Sequence, residues 1–247
     1  MNIEKAKIDH GATLNEQHVN MSNTLIRAAH GLLLAEKRVI SACIAKLDSL
    51  RLDNGRYRIK LTAKEFAETF DIDPNTAYDQ LKSAGDNLIK RIARVVEDTP
   101  RGKVEYKWVW VSGVKYHHGE GWIELGFSHE MTPRLNLLRG EFTSYKLKQA
   151  SALRSFYTWR LFELMIQFKT TGLLRISVDE FCHAVEAPKS YKKDFRNLRI
   201  RVIEPSVTEL RDKNNMLIEW KGTKTGGRKV TGLEFRFREN PQKSLPI

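Results

Sequence analysis

Twice along the chain a short run of alternating β-formers ends on a hydroxyl residue with a glutamate three positions further on. Tyr57-Arg-Ile-Lys-Leu61 is followed by Thr62 and Glu65, and Leu173-Leu-Arg-Ile176 by Ser177 and Glu180. A Ser or Thr hydroxyl can accept a first-turn N–H while the glutamate reaches back to the cap, so each stretch predicts a strand that turns directly into a helix. Each box also leads into the same pattern. After the first come the turn Asp71-Ile72-Asp73-Pro74 and a helix from Asn75 to Arg91. Its stripe Ala77, Leu81, Ala84, Leu88 and Ile92 recurs at helical spacing, and Pro74 suits its first turn. After the second come Pro188 and a helix with the stripe Tyr191, Phe195, Leu198 and Val202, continuing through Leu210. Pro205 removes one helical hydrogen bond there, which predicts a kink or restart near Glu204.

Both halves then close on β-formers. Arg94 to Glu97, Val104 to Tyr116 and Trp122 to Phe127 surround the turns Thr99-Pro-Arg-Gly102 and His117-His-Gly-Glu-Gly121. Met216 to Thr223 and Val230 to Arg238 form a hairpin, with Leu233, Phe235 and Phe237 on one face and Glu234, Arg236 and Arg238 on the other. A helix-turn-helix followed by a β-hairpin is a winged helix. The fold class is therefore α+β: two tandem winged-helix domains, an internal fold duplication with little identity between the copies. The expected limits are an N-terminal arm over 1–20, domains over 21–143 and 144–240, and a tail over 241–247. Further helices are predicted over 24–29 and 35–50, and one from Ala150 through Leu153, Tyr157, Leu161 and Leu164 to Phe168. Leu25, Leu32 and Val39 are seven apart, but Gly31 interrupts them, which favours a helix-core role over a zipper.

Charge separates the two copies. The chain carries 42 Lys+Arg against 30 Asp+Glu, a net charge of +12. Cut after Thr143, the first part has 21 cations and 19 anions and the second 21 and 11, so +10 of the excess lies in the second domain. Such an asymmetry predicts a polyanion partner, double-stranded DNA before membrane, because no basic amphipathic helix with an aromatic face occurs. Apolar runs such as Leu32 to Ala35 are four residues long, far short of the ~20 that span a bilayer. The N-terminus has no secretory pattern, so a cytoplasmic location is expected. Cys43 and Cys182 are the only cysteines and sit in apolar stretches, which points to buried thiols rather than a disulfide or a zinc site.

The densest cationic segment is Lys189-Ser-Tyr-Lys192-Lys193-Asp-Phe-Arg196-Asn197-Leu-Arg199-Ile-Arg201. On one continuous helix Lys192, Arg196 and Arg199 fall at i, i+4 and i+7, with Lys189, Lys193 and Asn197 in the adjacent row. That face suits a major groove, with arginine for guanine and lysine for phosphate; the alternative is a solvated charged face. The hairpin tip, with Lys224, Arg228 and Lys229, would add phosphate or minor-groove contacts, or is a plain exposed turn. In the first domain the face Asn75, Thr76, Gln80, Ser83 and Asn87 is neutral and ends at Arg91. It is either a reader of bases and backbone or merely solvated. His117 and His118 are adjacent, so on a strand they point to opposite faces and cannot share a metal. No phosphate-loop, nucleophile-elbow or HExxH motif occurs. No enzyme activity, cofactor or metal is expected.

Several of these segments resemble one family. Ser190-Tyr191…Phe195…Leu198-Arg-Ile-Arg-Val-Ile-Glu-Pro205…Glu209-Leu210, followed by Gly227-Arg-Lys-Val-Thr-Gly-Leu-Glu-Phe-Arg-Phe237, is similar to the C-terminal winged helix of the iteron-binding plasmid replication initiators, the Rep superfamily of theta-type replicons. Arg154-Ser-Phe-Tyr-Thr-Trp-Arg-Leu-Phe-Glu163 resembles the helix opening their second domain, and Gly31-Leu-Leu-Leu-Ala-Glu-Lys-Arg38 their N-terminal helix. The resemblance covers about residues 20–238. It implies a monomer that binds repeated origin sites and helps to open the duplex, and a homodimer through domain 1 that represses its own gene. It also implies a host replication initiator and a replicative helicase as partners, and a dimer surface over 104–114. The rivals are a dimeric winged-helix repressor and a nicking protein using Tyr116 and His118.

Overall fold

The computed structural model describes residues 13–47, 57–135 and 142–240. The N-terminal arm up to residue 12, the end of the 35–50 helix and the 241–247 tail lie outside them. The chain divides into two compact units after Ala152. The boundary expected at 143/144 falls inside a strand instead: β1 (His18–Ser22) pairs antiparallel with β7 (Phe142–Lys146), Val19 opposite Tyr145. Residues 13–20 are accordingly no loose arm. They contain a 3-10 turn at Leu14–Glu16, whose Glu16 carboxylate accepts from Lys146 and Lys148 Nζ at 2.8 Å each, and then enter β1. With the boundary after Ala152, the units carry 23 cations against 19 anions and 19 against 11, so the second still holds the larger excess.

In unit 1, α1 (Asn23–Arg27) starts on the Ser22 hydroxyl, and α2 (Leu34–Ala45) buries Val39, Ile40, Cys43 and Ile44. Leu32 is buried in the segment between the two helices rather than on either, so Leu25, Leu32 and Val39 are core and no zipper. Strand β2 (Arg58–Thr62) runs into α3 (Ala63–Phe70) through the complete Thr62/Glu65 box, Oγ1 accepting Glu65 N–H at 3.1 Å. Then α4 (Pro74–Leu88) lays Ala77, Leu81, Ala84 and Leu88 into the core. It stops there because residues 89–91 turn into β3 (Ile92–Thr99). Ile92 is therefore a strand residue, 40% exposed, and no part of the helical stripe.

β3 forms a two-stranded ladder with β4 (Gly102–Val109). The stretch 104–116 is not one strand. Trp110 breaks it, fully buried, its indole N–H donating to His30 O at 2.7 Å and its backbone N–H to Arg91 O at 3.2 Å. Beyond it β5 (Val111–His117) and β6 (Trp122–Phe127) build the sheet β2-β6-β5. A short α5 (Thr132–Leu135) and α6 (Lys148–Ser151) complete the unit.

The helix expected over 150–168 is two helices. α6 ends unit 1, and α7 (Phe156–Ile166) restarts on the Ser155 hydroxyl, burying Trp159, Leu161, Phe162 and Leu164 in unit 2. Within α7 the fully buried Arg160 pairs with Glu163 and donates from Nε to Ala184 O at 3.0 Å. β8 (Leu173–Ser177) enters α8 (Val178–Ala184) through the second box. Helices α9 (Lys189–Lys193), α10 (Phe195–Leu198) and α11 (Glu204–Asn214) come next, a π turn at Arg199–Ile203 joining the last two. β9 (Met216–Thr223) and β10 (Gly232–Glu239) close the sheet β8-β10-β9. Opening strand, closing strand in the middle, penultimate strand outside: both units share this order, so the duplication holds at the level of topology. β3–β4 is an addition peculiar to unit 1. Among the described residues no helix is long and apolar enough to cross a membrane.

Candidate nucleic-acid interface

The cationic segment of unit 2 does not form one helix. Asp194 is extended, at φ −116° and ψ 94°, and caps the helix after it: its carboxylate accepts Arg196 N–H at 3.0 Å and Asn197 Nδ2 at 2.7 Å. Asp is a preferred N-cap because its short carboxylate satisfies free first-turn N–H groups. Lys189, Lys192 and Lys193 thus belong to α9, and the i, i+4, i+7 row linking Lys192 to Arg196 and Arg199 is broken. Asn197 is half-buried and committed to the cap.

From Phe195 onward the backbone stays helical to Asn214, with Leu198, Val202, Ile203, Val207 and Leu210 buried. Arg196, Arg199 and Arg201 are exposed along its first turns. Glu204 N–H bonds to Arg199 O, five residues back, as a π turn requires. That wider turn sets Arg199 over Glu204, Nε to Oε1 3.4 Å, and lets Pro205 enter α11 at a position where no N–H is needed. The expected restart near Glu204 is this transition. Lys192 in turn reaches Asp179 on α8 at 2.9 Å. Two of the selected cations therefore already have carboxylate partners, both pairs about half-exposed and individually weak.

The tip carrying Lys224, Arg228 and Lys229 is exposed and turns through Gly226 and Gly227 at φ +75° and +76°, a region open to glycine. Thr225 N–H and hydroxyl bond Thr231 Oγ1 at 3.1 and 3.0 Å and brace it. At its base, a Cβ on Gly222 would meet Val230 at 2.8 Å and the Phe195 ring at 3.6 Å, so the start of the Arg196 helix lies against the hairpin. The helix that carries Arg196 therefore starts beside the base of the hairpin whose tip carries Lys224, Arg228 and Lys229.

In unit 1, Asn75, Thr76, Gln80, Ser83 and Asn87 are exposed on α4, opposite its buried stripe. Several bond their own helix: Gln80 Nε2 donates to Thr76 Oγ1 and Asn87 Nδ2 to Ser83 O, each at 3.0 Å. Arg91 does not join this face. It lies beyond the helix end, and its Nε and Nη2 donate to the two oxygens of the buried Glu36 on α2, both at 2.7 Å. Sequence reasoning also missed what fixes α4 to its wing. Tyr78 hydroxyl bonds His118 Nδ1 at 3.0 Å, and Tyr116 hydroxyl donates to Asp86 Oδ1 at 2.6 Å. Burial, and then Asp86, push the Tyr116 phenol above its ordinary value, which opposes the phenolate a nicking nucleophile needs. His117 lies against Trp122, centroids 5.1 Å apart. Among the described residues no three His, Cys, Asp or Glu side chains are grouped to hold a metal ion.

Comparison with known proteins agrees with this architecture. The chain matches the family "Initiator Replication protein, WH1" over residues 18–166 and "Initiator Rep protein, WH2" over 177–237. It is 26% identical to the PI protein of Escherichia coli over 268 residues, covering 95% of this chain and 83% of that one. To a replication initiation protein of Escherichia coli it is 24% identical over 210 residues, covering 82% and 65%. Its fold is similar to that of a Pi initiator protein crystallised with iteron DNA, with TM-score 0.78, 24% identity, and coverage of 92% of this chain and 99% of that one. By the match of both winged-helix domains, this chain belongs to the initiator replication protein family.

Proposed function

We propose that the chain is a plasmid replication initiator that binds repeated origin sites, iterons, sequence-specifically and without catalysing a reaction of its own. The observation that carries this is three exposed arginines, Arg196, Arg199 and Arg201, on the first turns of a capped helix whose start lies against the base of the hairpin with the cationic tip. The initiator with iteron DNA supplies the ligand class. Arg196, Arg199 and Arg201 read base edges, where arginine offers a bidentate donor pair to guanine. Lys189, Lys192, Lys193, Lys224, Arg228 and Lys229 neutralise phosphates. Asn75, Thr76, Gln80, Ser83 and Asn87 of α4 form the weaker, uncharged reader, and Arg91 is excluded. On β3–β4, Ile92, Val96 and Val109 share one face and are 40%, 43% and 41% exposed, which supports a homodimer through unit 1. Origin opening, host initiator and helicase contacts, and self-repression by the dimer complete the reading.

The test is footprinting of the full chain on tandem repeats flanking its gene. Arg196→Ala with Arg199→Ala should abolish the specific footprint, each lost contact costing about 1–3 kcal/mol, with the melting temperature unchanged. An unchanged footprint refutes the assignment. Repression of its own promoter without origin melting in a reconstituted system would favour the repressor alternative.

A further inference from the structure

On the outer face of the unit 2 sheet, away from its apolar inner face, one carboxylate lies beneath three cations. Glu234 in β10 is only 6% exposed. Directly across the ladder stand Arg175 in β8 and Lys221 in β9, with Arg236 two residues along β10. Arg175 Nε meets Glu234 Oε2 at 3.0 Å, while Arg236 Nε and Lys221 Nζ meet Oε1 at 3.2 Å. The three cations are 69%, 63% and 64% exposed. The acid is thus sunk and its neutralising partners face solvent. Each arginine uses Nε for Glu234, and its terminal nitrogens, the pair that forms a fork-like contact with an oxyanion, lie at the exposed end of the side chain. Three positive charges on one negative leave a surplus, and Glu234 has already ordered the side chains that carry it.

Glu234 alone does not need this arrangement, since one cation would neutralise it. Lys221 and Arg236 also lie on the two strands that the wing tip joins: Lys221 is three residues before Lys224, which follows the end of β9, and Arg238 extends the cationic side of β10. Glu219, opposite Arg236, is the one other acid on this face of the ladder among the described residues. We infer that Arg175, Lys221 and Arg236 form a second phosphate-binding surface, engaging the DNA backbone beyond the wing tip. This rests on the DNA-binding reading above and adds to it a surface that no base-reading helix requires. Its contribution is sequence-independent: backbone contacts set affinity and register, not base choice.

The experiment is a salt titration of full-length protein on a random-sequence duplex. Each phosphate contact contributes about 0.9 to the slope of log affinity against log salt, so Arg175→Gln with Arg236→Gln should lower the slope by about 1.8. Arg175→Lys with Arg236→Lys keeps the charges on Glu234 but loses the forks; it should retain the slope with weaker binding, and it guards against loss of fold in the glutamine pair. Unchanged slope and affinity in folded glutamine variants overturn the surface. Loss of polyglutamate binding with the DNA slope intact would assign the patch to an acidic protein, and equally overturn it. Lys224→Ala with Arg228→Ala and Lys229→Ala is the control. If these lower the slope and the outer-face variants do not, only this surface fails; if neither set does, the DNA-binding reading fails with it.

Discussion

Arg91→Ala separates two roles for a cation just beyond the end of α4. If Arg91 were the last residue of a DNA-contacting face, its removal would cost DNA affinity and leave the fold untouched. The structure gives it the opposite role. Its guanidinium holds Glu36 through two bonds of 2.7 Å, and Glu36, with a side chain only 2% exposed, also accepts the Leu33 N–H at 2.8 Å. Removing one member of a buried pair costs about 3–5 kcal/mol because the other charge is stranded. The Arg91 side chain is 32% exposed, so water reaches its side of the pair and the cost falls to about 2–3 kcal/mol. In a domain of roughly 150 residues 1 kcal/mol moves the melting temperature by about 2–4 °C, giving a drop of about 4–12 °C. Thermal unfolding of Arg91→Ala, Glu36→Gln and the double variant measures it. The double should cost less than the two singles together, since it strands neither charge. A melting temperature within about one degree of wild type, together with a salt slope lowered by about 0.9, would refute the structural role and return Arg91 to the DNA.

Local chemistry sets two further outcomes. Thr62→Ala and Ser177→Ala each remove the hydroxyl of a complete capping box and should cost about 1 kcal/mol in urea unfolding, while Thr62→Asn restores most of it; Asn faring no better than Ala would count against the capping account. Glu16 is held from 4.5 down to about 2, first by its hydrogen bonds from Lys146 and Lys148. A folded value below the unfolded one means that the ionised form contributes stability above about pH 4.5, which is lost as pH falls toward 2. Glu16→Gln should therefore be less stable at neutral pH and lose less on acidification, and identical acid-unfolding profiles for the two proteins would reject the pairing.

What could be read from the sequence is what local chemistry decides. Thr62/Glu65 and Ser177/Glu180 are three residues apart, and each box forms as expected. The stripes Ala77–Leu81–Ala84–Leu88 and Leu198–Val202 are buried for the same reason: helical spacing brings them to one face within a few turns. The misses have a different origin. Glu36 and Arg91 are 55 residues apart, and no periodicity within α4 shows that Arg91 is needed elsewhere. Trp110 sits among strong β-formers, yet the strand breaks there because its indole is drawn to His30 O, 80 residues away. The same long-range demand splits the 150–168 helix, since its two ends serve the cores of different units.

The break at Asp194 is a miss of another kind, because its signal is present in the sequence. An Asp before Phe195-Arg-Asn-Leu198 is a sound N-cap, but the surrounding charge makes it look like an isolated acid on a basic face. Its consequence is functional. A single helix from Lys189 would have carried lysines and arginines in one groove-facing row. With the cap at Asp194, the lysines of α9 precede the helix proposed to read bases and the arginines occupy its first turns, where a recognition helix meets base edges. Asp194 itself takes the free N–H of Arg196 that a phosphate would otherwise attract. A phosphate finds that N–H already occupied, and the proposed reading therefore assigns phosphate binding to α9, the wing tip and the Glu234-centred surface. On the proposed reading specific and non-specific affinity are carried by different residues in unit 2, so arginine substitutions on the helix and cation substitutions on the sheet should separate the specificity ratio from the salt slope.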